Sequence, residues 1–260
     1  METLFRLQEK GVKVKLLMDK GEMFTPESAY PLLRIRHMVE RSPSPWRGVM
    51  HHKFWVIDKR WVISGSFNPG SSPFQHNNVL IINSEPLARN FLQEFECIKR
   101  NEKNYSYFPV IEEKEGIIEN YFFPSKKGLK RILHIISTAQ EEILFAYYSF
   151  THPQVREEIL KSLKRGVRVK GIVDYYQSRI SLSFHVLNLL GFPVMKDKNY
   201  GSLFHHKFMV IDRRVVITGS LNLTKNGVLR NREDILILSH PRIVKRFVEV
   251  FNKYYGKWKE

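Results

Sequence analysis

The sequence predicts an α/β protein made of two repeated halves, with mostly parallel or mixed sheets flanked by helices and a pseudo-twofold axis between them. Three observations support this fold class. Residues 51–68 (HHKFWVIDKRWVISGSFN) and 205–222 (HHKFMVIDRRVVITGSLN) are identical at 13 of 18 positions. Upstream, 11–19 (GVKVKLLMD) matches 166–174 (GVRVKGIVD). Each half also alternates strand-like with helix-like segments, as sheets covered by helices require.

The second half contains the fuller set of predicted elements. Aromatic and β-branched residues in 142–150 (EILFAYYSF) predict a buried strand. Thr151 as N-cap and Pro153 in the first turn predict a helix, which Gly166 ends. The next strand is predicted over 167–173.

The first half lacks counterparts of the strand at 142–150 and of much of the following helix, because those positions would precede Met1. Either the natural chain starts earlier, or the neighbouring half or another subunit covers the gap. The hydrophobic periodicity breaks between the two halves. We therefore expect a first half over 1–105 without its opening strand, a linker over 106–126 and a second half over 127–260.

Each copy of the motif has the spacing His-x-Lys-x4-Asp, followed by Gly-Ser-x-Asn. The surrounding residues are β-formers, so each copy is predicted to be a strand, a tight turn and a returning strand. Because alternate strand side chains share a face, the first histidine and the lysine point together, whereas the aspartate is expected to support the turn. The predicted site residues are His51, Lys53, Asp58, Ser66 and Asn68 in one copy, and His205, Lys207, Asp212, Ser220 and Asn222 in the other.

This combination of side chains is typical of a phosphate site. Lysine supplies charge, asparagine an amide donor, and histidine can attack or transfer a proton. If the copies meet, one neutral imidazole can attack phosphorus while the other, protonated, protonates the leaving oxygen. The lysines, the asparagines and the serines Ser66 and Ser220 are expected to bind the phosphate oxygens. No metal or cofactor is expected, because no carboxylate cluster for Mg²⁺ and no third zinc ligand recurs at usable spacing.

The paired motifs HHKFWVID…GSFN and HHKFMVID…GSLN resemble the HKD motifs of the phospholipase D superfamily. The segment FAYYSFTHPQVREEILKSLKRGVRVKGIVD is similar to the family's lead-in to the motif. The resemblance implies a two-half α/β fold with one active site shared between the halves. It also implies a metal-independent phosphodiesterase that works through a phosphohistidine. It implies no single substrate or acceptor, since the superfamily includes phospholipases, phospholipid synthases and endonucleases.

The two copies differ in the acidic residue that often orients the histidine in this family. Glu233 stands thirteen residues after the second motif serine, whereas a valine stands at that distance in the first copy. Asn77 or Asn78 can replace it only if the loop is two residues shorter. On physical grounds, a carboxylate behind His205 makes that residue the better nucleophile. Resemblance to two-motif family members favours His51 instead, and the roles stay open.

The charge of the chain indicates anionic partners. Lys and Arg number 42 against 26 Asp and Glu, giving a net charge of +16. This favours phospholipid or nucleic acid as substrate through long-range attraction. Trp46 is either an interfacial anchor for peripheral membrane contact, a base-stacking residue or a buried loop plug. No run of 18 apolar residues occurs, so no transmembrane segment is expected.

A second class of function is a non-catalytic protein that binds nucleic acid or membrane surfaces and retains the fold. The missing acidic partner in the first copy favours it, and the intact His, Lys and Asn sets oppose it. The single cysteine, Cys97, excludes an internal disulfide. A reducing, cytoplasmic compartment is therefore expected. Both a monomer and a homodimer are compatible with the sequence.

Overall fold

The computed structural model describes residues 2–19, 39–42, 48–69, 72, 74–103, 107–192, 194–198 and 201–259. The helices are α1 (Glu2–Glu9), α2 (Glu85–Arg100), α3 (Lys126–Ser137), α4 (Pro153–Lys164), α5 (Tyr175–Ser178), α6 (Leu182–Leu189), α7 (Lys225–Leu229) and α8 (Pro241–Lys259). The strands are β1 (Leu16–Asp19), β2 (Val39–Ser42), β3 (Phe54–Ile57), β4 (Trp61–Gly65), β5 (Val79–Asn83), β6 (Val110–Glu113), β7 (Gly116–Phe123), β8 (Glu142–Tyr147), β9 (Arg168–Val173), β10 (Val194–Lys196), β11 (Lys207–Ile211), β12 (Val215–Gly219) and β13 (Glu233–Leu238).

The largest sheet has eight strands in the order β10-β9-β8-β11-β12-β13-β7-β6. The pairs β10–β9 and β9–β8 are parallel, and the other five neighbouring pairs are antiparallel. The predicted α/β class with a mixed sheet is confirmed. Antiparallel pairs predominate, because each motif strand returns through a tight turn rather than through a helix.

Residues 106–126, expected to be a linker, instead contain two strands of the large sheet. β6 and β7 occupy most of this segment, and β7 pairs with β13. Ile118 and Phe122 are buried there. Their apolar side chains pack into the core, which outweighs the weak periodicity of the segment.

The boundaries of β8 and α4 differ slightly from the prediction. β8 ends at Tyr147, three residues before the predicted end at 150. The N-cap of α4 is His152 rather than Thr151, and it makes no side-chain capping bond. Pro153 occupies the first turn, as the sequence predicts.

The first half forms two smaller sheets. β1 and β2 are parallel, and β3, β4 and β5 form an antiparallel sheet. In the second half, β8 lies between β9 and β11, which are the repeat counterparts of β1 and β3. Among the described residues, no strand lies between β1 and β3.

Two buried clusters lie on opposite faces of the large sheet, since successive strand side chains alternate. One contains Phe145 together with side chains of α3 and α4. The other joins the halves, because it contains Val62 and Phe91 as well as Phe208 and Leu236. This shared core fixes the two motif strands relative to each other. Within the described ranges, no helix has the length and apolar character needed to cross a membrane.

Candidate active site

Each motif is held in place by a segment from the other half. The backbone N–H of His51 donates to the carbonyl of Arg232 at 2.9 Å, just before β13. The backbone N–H of His205 donates to the carbonyl of His76 at 2.9 Å, just before β5. The halves thus exchange equivalent segments, and this exchange brings the two motifs to one site.

Glu233 supports His51 rather than His205. The Nδ1 atom of His51 lies 2.7 Å from Oε2 of Glu233, whose side chain is fully buried. Because Glu233 follows the second motif in the chain, it was predicted to lie behind His205. That assignment is wrong, since β13 reaches the site on the side of the first half. A proton on Nδ1 satisfies the carboxylate and leaves Nε2 of His51 with a free lone pair.

Neutral oxygens support His205. Its Nδ1 lies 2.9 Å from the carbonyl oxygen of Ser66 and 3.0 Å from Oδ1 of Asn77. A carbonyl oxygen can only accept, so Nδ1 carries the proton, and Nε2 has no hydrogen bond to any of the described residues. From the sequence, Asn77 is a candidate partner of the first histidine, but the exchange of segments places it beside the second.

Both motif lysines lie beside their histidines, as the strand alternation predicts. Nζ of Lys53 donates to the carbonyl oxygen of His51 at 2.5 Å, and Nζ of Lys207 donates to that of His205 at 3.1 Å. Both lysines are buried, Lys207 completely. Two ammonium groups therefore border the two imidazoles.

Charged groups of each motif shift the pKa values of groups in the other motif, as expected of groups that lie close together. Burial, Lys207, Lys53 and His51 together lower the pKa of His205 to about 2. Burial also lowers the pKa of His51, and the lysines of both halves add to this effect, whereas Glu233 opposes it. Burial and Lys53 hold the pKa of Lys207 well below its usual value. Both imidazoles are therefore neutral at pH 7 in the free protein.

The hydroxyls of the two motif serines bond other side chains, which differs from the prediction that they bind phosphate. Ser66 and Ser220 are fully buried. Oγ of Ser220 donates to Glu233 at 2.7 Å, and Oγ of Ser66 donates to Asn77 at 2.9 Å. The serines hold the groups that orient the histidines, because their hydroxyls are committed to those groups.

The motif asparagines follow the returning strands and remain predicted phosphate ligands. Asn68 and Asn222 are half-buried. Oδ1 of Asn222 is buried and has no hydrogen-bond partner among the described residues. No group of three His, Cys, Asp or Glu side chains in the described part of the chain could hold a metal ion.

The motif aspartates lie in the turns, as predicted. Asp58 and Asp212 have φ of 51° and 50°, in the left-handed region. The carboxylate of Asp212 accepts the backbone N–H groups of Gln140, Glu141 and Glu142 at 2.9, 2.7 and 2.9 Å. It therefore fixes the start of β8, whereas Asp58 is exposed.

Tyr148 is a site residue that the sequence analysis missed. Its ring centroid lies 5.0 Å from that of His205, and Nζ of Lys207 lies 5.4 Å from the centre of the tyrosine ring. Its hydroxyl accepts from Nε2 of Gln177 at 3.2 Å. From the sequence, Tyr148 is predicted to lie inside a strand over 142–150, whereas β8 ends at Tyr147. The polar Ser149 and Thr151, which follow the apolar run, were the feature of the sequence that indicates an earlier end of the strand.

A second buried layer lies beneath the site and is also unequal between the halves. His52 contacts Asp234 at 3.0 Å and Glu94 at 3.3 Å. Burial alone would lower the pKa of His52, but its hydrogen bonds to these carboxylates raise it to about 9. Among the described residues, the ring of the equivalent His206 has a hydrogen bond only to the neutral Asn78, at 3.3 Å, and burial lowers the pKa of His206 to about 3. The first half therefore carries a buried ionic cluster where the second has a neutral one.

The family model described as cardiolipin synthase, PLD-like domain, matches residues 1–99 and 132–255. The mitochondrial cardiolipin hydrolase of Mus musculus is 33% identical over 137 residues, which are 52% of this chain and 60% of that protein. The human protein of the same name is 32% identical over 134 residues, 51% of this chain and 53% of that protein. The chain thus spans somewhat more than half the length of these curated relatives.

Two solved structures are also similar. Nuc from Salmonella typhimurium, a phospholipase D family member, has a TM-score of 0.50 and 28% identity, covering 55% of this chain and 95% of that one. The phosphatidylserine synthase of Haemophilus influenzae has a TM-score of 0.74 and 15% identity, covering 100% of this chain and 80% of that one. At 15% identity, the similarity to the phosphatidylserine synthase supports only the fold.

Proposed function

Since this chain belongs to the phospholipase D-like family, we propose that it is a metal-independent phosphodiesterase that acts through a phosphohistidine. The carrying observation is the pair of histidines from different halves, each with Nδ1 bonded to an acceptor and with a buried lysine beside it. This arrangement leaves two Nε2 atoms for chemistry at one phosphate, one for attack and one for proton transfer.

His51 is the proposed nucleophile. When its neutral Nε2 attacks phosphorus, the ring becomes a phosphorylated imidazolium with positive charge at Nδ1–H. Glu233 lies 2.7 Å from that nitrogen and stabilises the charge as it forms. His205 has only neutral oxygens at the same position and would gain less from attacking.

His205 is the proposed general acid. It becomes protonated when the substrate anion enters, and it then gives that proton to the leaving oxygen as the phosphorus–oxygen bond breaks. The neutral His205 next removes a proton from water or an alcohol, which attacks phosphorus and releases His51. Lys53 and Lys207 offset the negative charge of the phosphate oxygens throughout.

The proposed substrates are phospholipid headgroups or nucleic-acid phosphodiesters. Phospholipid is supported by the names of the mouse and human relatives, which are called cardiolipin hydrolases. The net charge of +16 supports either polyanion. Trp46, the candidate membrane anchor or base-stacking residue, lies outside the described residues. The cytoplasmic location stays a prediction, since these relatives are named mitochondrial.

The contact between Glu233 and His51 weakens the non-catalytic alternative. That alternative depended on the lack of an acidic partner for the first motif, and Glu233 supplies one from the other half. A pure binding protein has no need for a buried carboxylate on a histidine whose other nitrogen is free. Catalysis uses that arrangement directly.

A trapping experiment tests the mechanism. With bis(p-nitrophenyl) phosphate, the leaving group needs no acid, so His205→Asn should still form the adduct on His51 but release it slowly for lack of a base. Intact-mass spectrometry should then show an acid-labile adduct in His205→Asn and none in His51→Asn. His185→Asn, an exposed histidine away from the site, is the matched control and should behave as wild type. An adduct on His205 in His51→Asn would reverse the roles, and no adduct with no turnover would support the binding protein.

The substrate class requires a direct comparison. Cardiolipin vesicles and single-stranded DNA should be offered to the same preparation in EDTA. Hydrolysis of the lipid alone supports the lipid assignment, and DNA cleavage that weakens steeply with salt supports a nuclease.

A further inference from the structure

The segment 175–192, which follows β9 and contains α5 and α6, exposes an apolar surface. All of its residues lie in the described part of the chain. The exposed apolar side chains are Tyr176, Ile180, Leu182, Leu189 and Leu190, with exposed fractions of 46%, 79%, 67%, 88% and 55%. Large apolar side chains that cluster at a protein surface mark an interaction site.

The helix α6 is apolar on both of its faces. Leu182 and Leu189 are about two helical turns apart and lie on the same, outward face. Phe184 and Leu187 point the other way and are buried in the core cluster that contains Phe145. A helix that only covers a core has a polar outward face. The packing of α6 therefore does not account for its outward leucines.

The charges beside this apolar surface are positive. Between Asp174 and Asp197 the chain contains no acidic residue. Both of these aspartates are buried, and each accepts a backbone N–H group. Arg179, within the segment, and Lys196, at the end of β10, are exposed. The surface thus combines aliphatic side chains with cationic groups at its border.

The same segment reaches the active site. Nε2 of Gln177, in α5, donates to the hydroxyl of Tyr148, whose ring lies 5.0 Å from that of His205. Tyr176 lines a cavity of about 260 Å³ together with Leu203, two residues before His205. A partner bound to the apolar surface is therefore close to the second motif.

We propose that this apolar surface docks the protein on an anionic phospholipid bilayer and presents phospholipid to the site. The leucines enter the boundary between headgroups and acyl chains, and Arg179 and Lys196 contact anionic headgroups. A lipid phosphate is then held near His205. The proposal rests on the phosphodiesterase function proposed above and selects phospholipid as the substrate class.

The composition of the surface favours lipid over other partners. Nucleic acid is bound mainly through cationic and polar contacts to phosphates, whereas most of this surface is aliphatic. A second copy of the chain carries the same net charge of +16, which opposes association. A bilayer fits both features, because it offers acyl chains to the leucines and phosphate groups to the basic residues.

Vesicle flotation tests the docking without requiring turnover. The vesicles contain equal parts of phosphatidylcholine and cardiolipin, and vesicles of phosphatidylcholine alone should bind wild type at least about tenfold more weakly. The double variant Leu182→Asn/Leu189→Asn should bind the mixed vesicles about tenfold or more weakly than wild type, because two side chains no longer transfer into the bilayer.

The matched control is the double variant Phe108→Asn/Val110→Asn. It removes two exposed apolar side chains at β6, the edge of the large sheet opposite to β10. It should bind the mixed vesicles within about twofold of wild type. In the leucine variant, cardiolipin hydrolysis relative to hydrolysis of soluble bis(p-nitrophenyl) phosphate should fall together with vesicle binding.

Four outcomes would overturn the proposal. Vesicle binding by the leucine variant at the wild-type level would exclude the surface, as would an equal loss in the control. A wild-type dimer in light scattering that the leucine variant dissociates would assign the surface to a second copy. Single-stranded DNA that binds wild type but not the leucine variant would assign it to nucleic acid.

The docking and the proposed function fail separately. Binding through the leucines without hydrolysis of cardiolipin or bis(p-nitrophenyl) phosphate would contradict the phosphodiesterase and not the docking. Hydrolysis of both substrates by a protein whose leucine variant still binds vesicles normally would contradict the docking alone.

Discussion

The buried cluster around His52 makes the stability of this protein depend on pH. His52 bonds Asp234 and Glu94, and Oγ of Ser64 donates to Asp234 at 2.6 Å. Burial disfavours the imidazolium, yet these carboxylates raise the pKa of His52 to about 9. In the unfolded chain the pKa of this histidine returns to about 6.5.

The sign follows from the folded pKa lying above the unfolded one. The stabilisation is fully present below about pH 6.5 and is lost as the pH rises through about 9. One pH unit is worth about 1.4 kcal/mol, so the interval corresponds to roughly 3 kcal/mol of the free energy of unfolding. For a protein of ordinary stability, that is a large fraction of the total.

Urea unfolding at several pH values between 6 and 10 measures this effect. Between these limits, wild type should lose roughly 3 kcal/mol more than His52→Asn, because only wild type releases the His52 proton in that range. His206→Asn is the matched control. Its histidine has a pKa of about 3 and stays neutral throughout, so the variant should keep the wild-type slope. Parallel curves for wild type and His52→Asn would refute the assignment of charge to this cluster.

Four further outcomes follow from the site. Glu233→Gln should lower kcat by roughly a hundredfold with little change in KM, because the carboxylate acts mainly on charge formed in the transition state. An equal loss of kcat in Asn77→Ala, which removes a partner of His205, would contradict the unequal roles of the two histidines. Phosphate binding should take up protons, since the anion favours the protonated form of His205, whose pKa is about 2 in the free protein. Calorimetry in two buffers of different ionisation enthalpy measures this uptake, and zero uptake would contradict the proposed role of His205. Tyr148→Leu should lower kcat by about tenfold, whereas Tyr148→Phe keeps the ring and stays within about twofold in steady-state assays. Activity should persist in EDTA, and a strict need for added divalent metal would contradict the mechanism.

The repeat made the site residues predictable, but not their partners. His51 and Lys53 lie two positions apart in an extended segment, so the alternation of side chains places them together in any register. The partner of each histidine depends instead on a segment far along the chain. Glu233 reaches His51 because the halves exchange equivalent segments, and no local pattern records such an exchange. Assigning Glu233 to the motif nearest to it in the sequence therefore predicted the wrong histidine as its partner.

Contacts between residues that are distant in sequence also explain why the two strands in 106–126 were predicted to be a linker. These strands pair with β13 and with each other at an edge of the sheet, so the stabilising contacts lie far away in sequence. β7 is buried mainly at its carboxyl end and half-exposed at its start. A strand with that profile shows neither the alternation of a one-sided strand nor the continuous apolar run of a fully buried one.

The two halves differ in how many charged residues they receive from the segment that the other half provides. The segment before and within β13 carries three charged residues that bond the first half: Arg232 to Glu94, Glu233 to His51 and Asp234 to His52. The equivalent segment, His76 to Asn78, carries no carboxylate and serves the second half. The described strands of the first half also form the smaller sheets. Charged contacts are therefore concentrated where packing is least extensive, and removing one partner of a buried ion pair is costly. The same segment thus fixes the less packed half in place and places a carboxylate on His51, the proposed nucleophile.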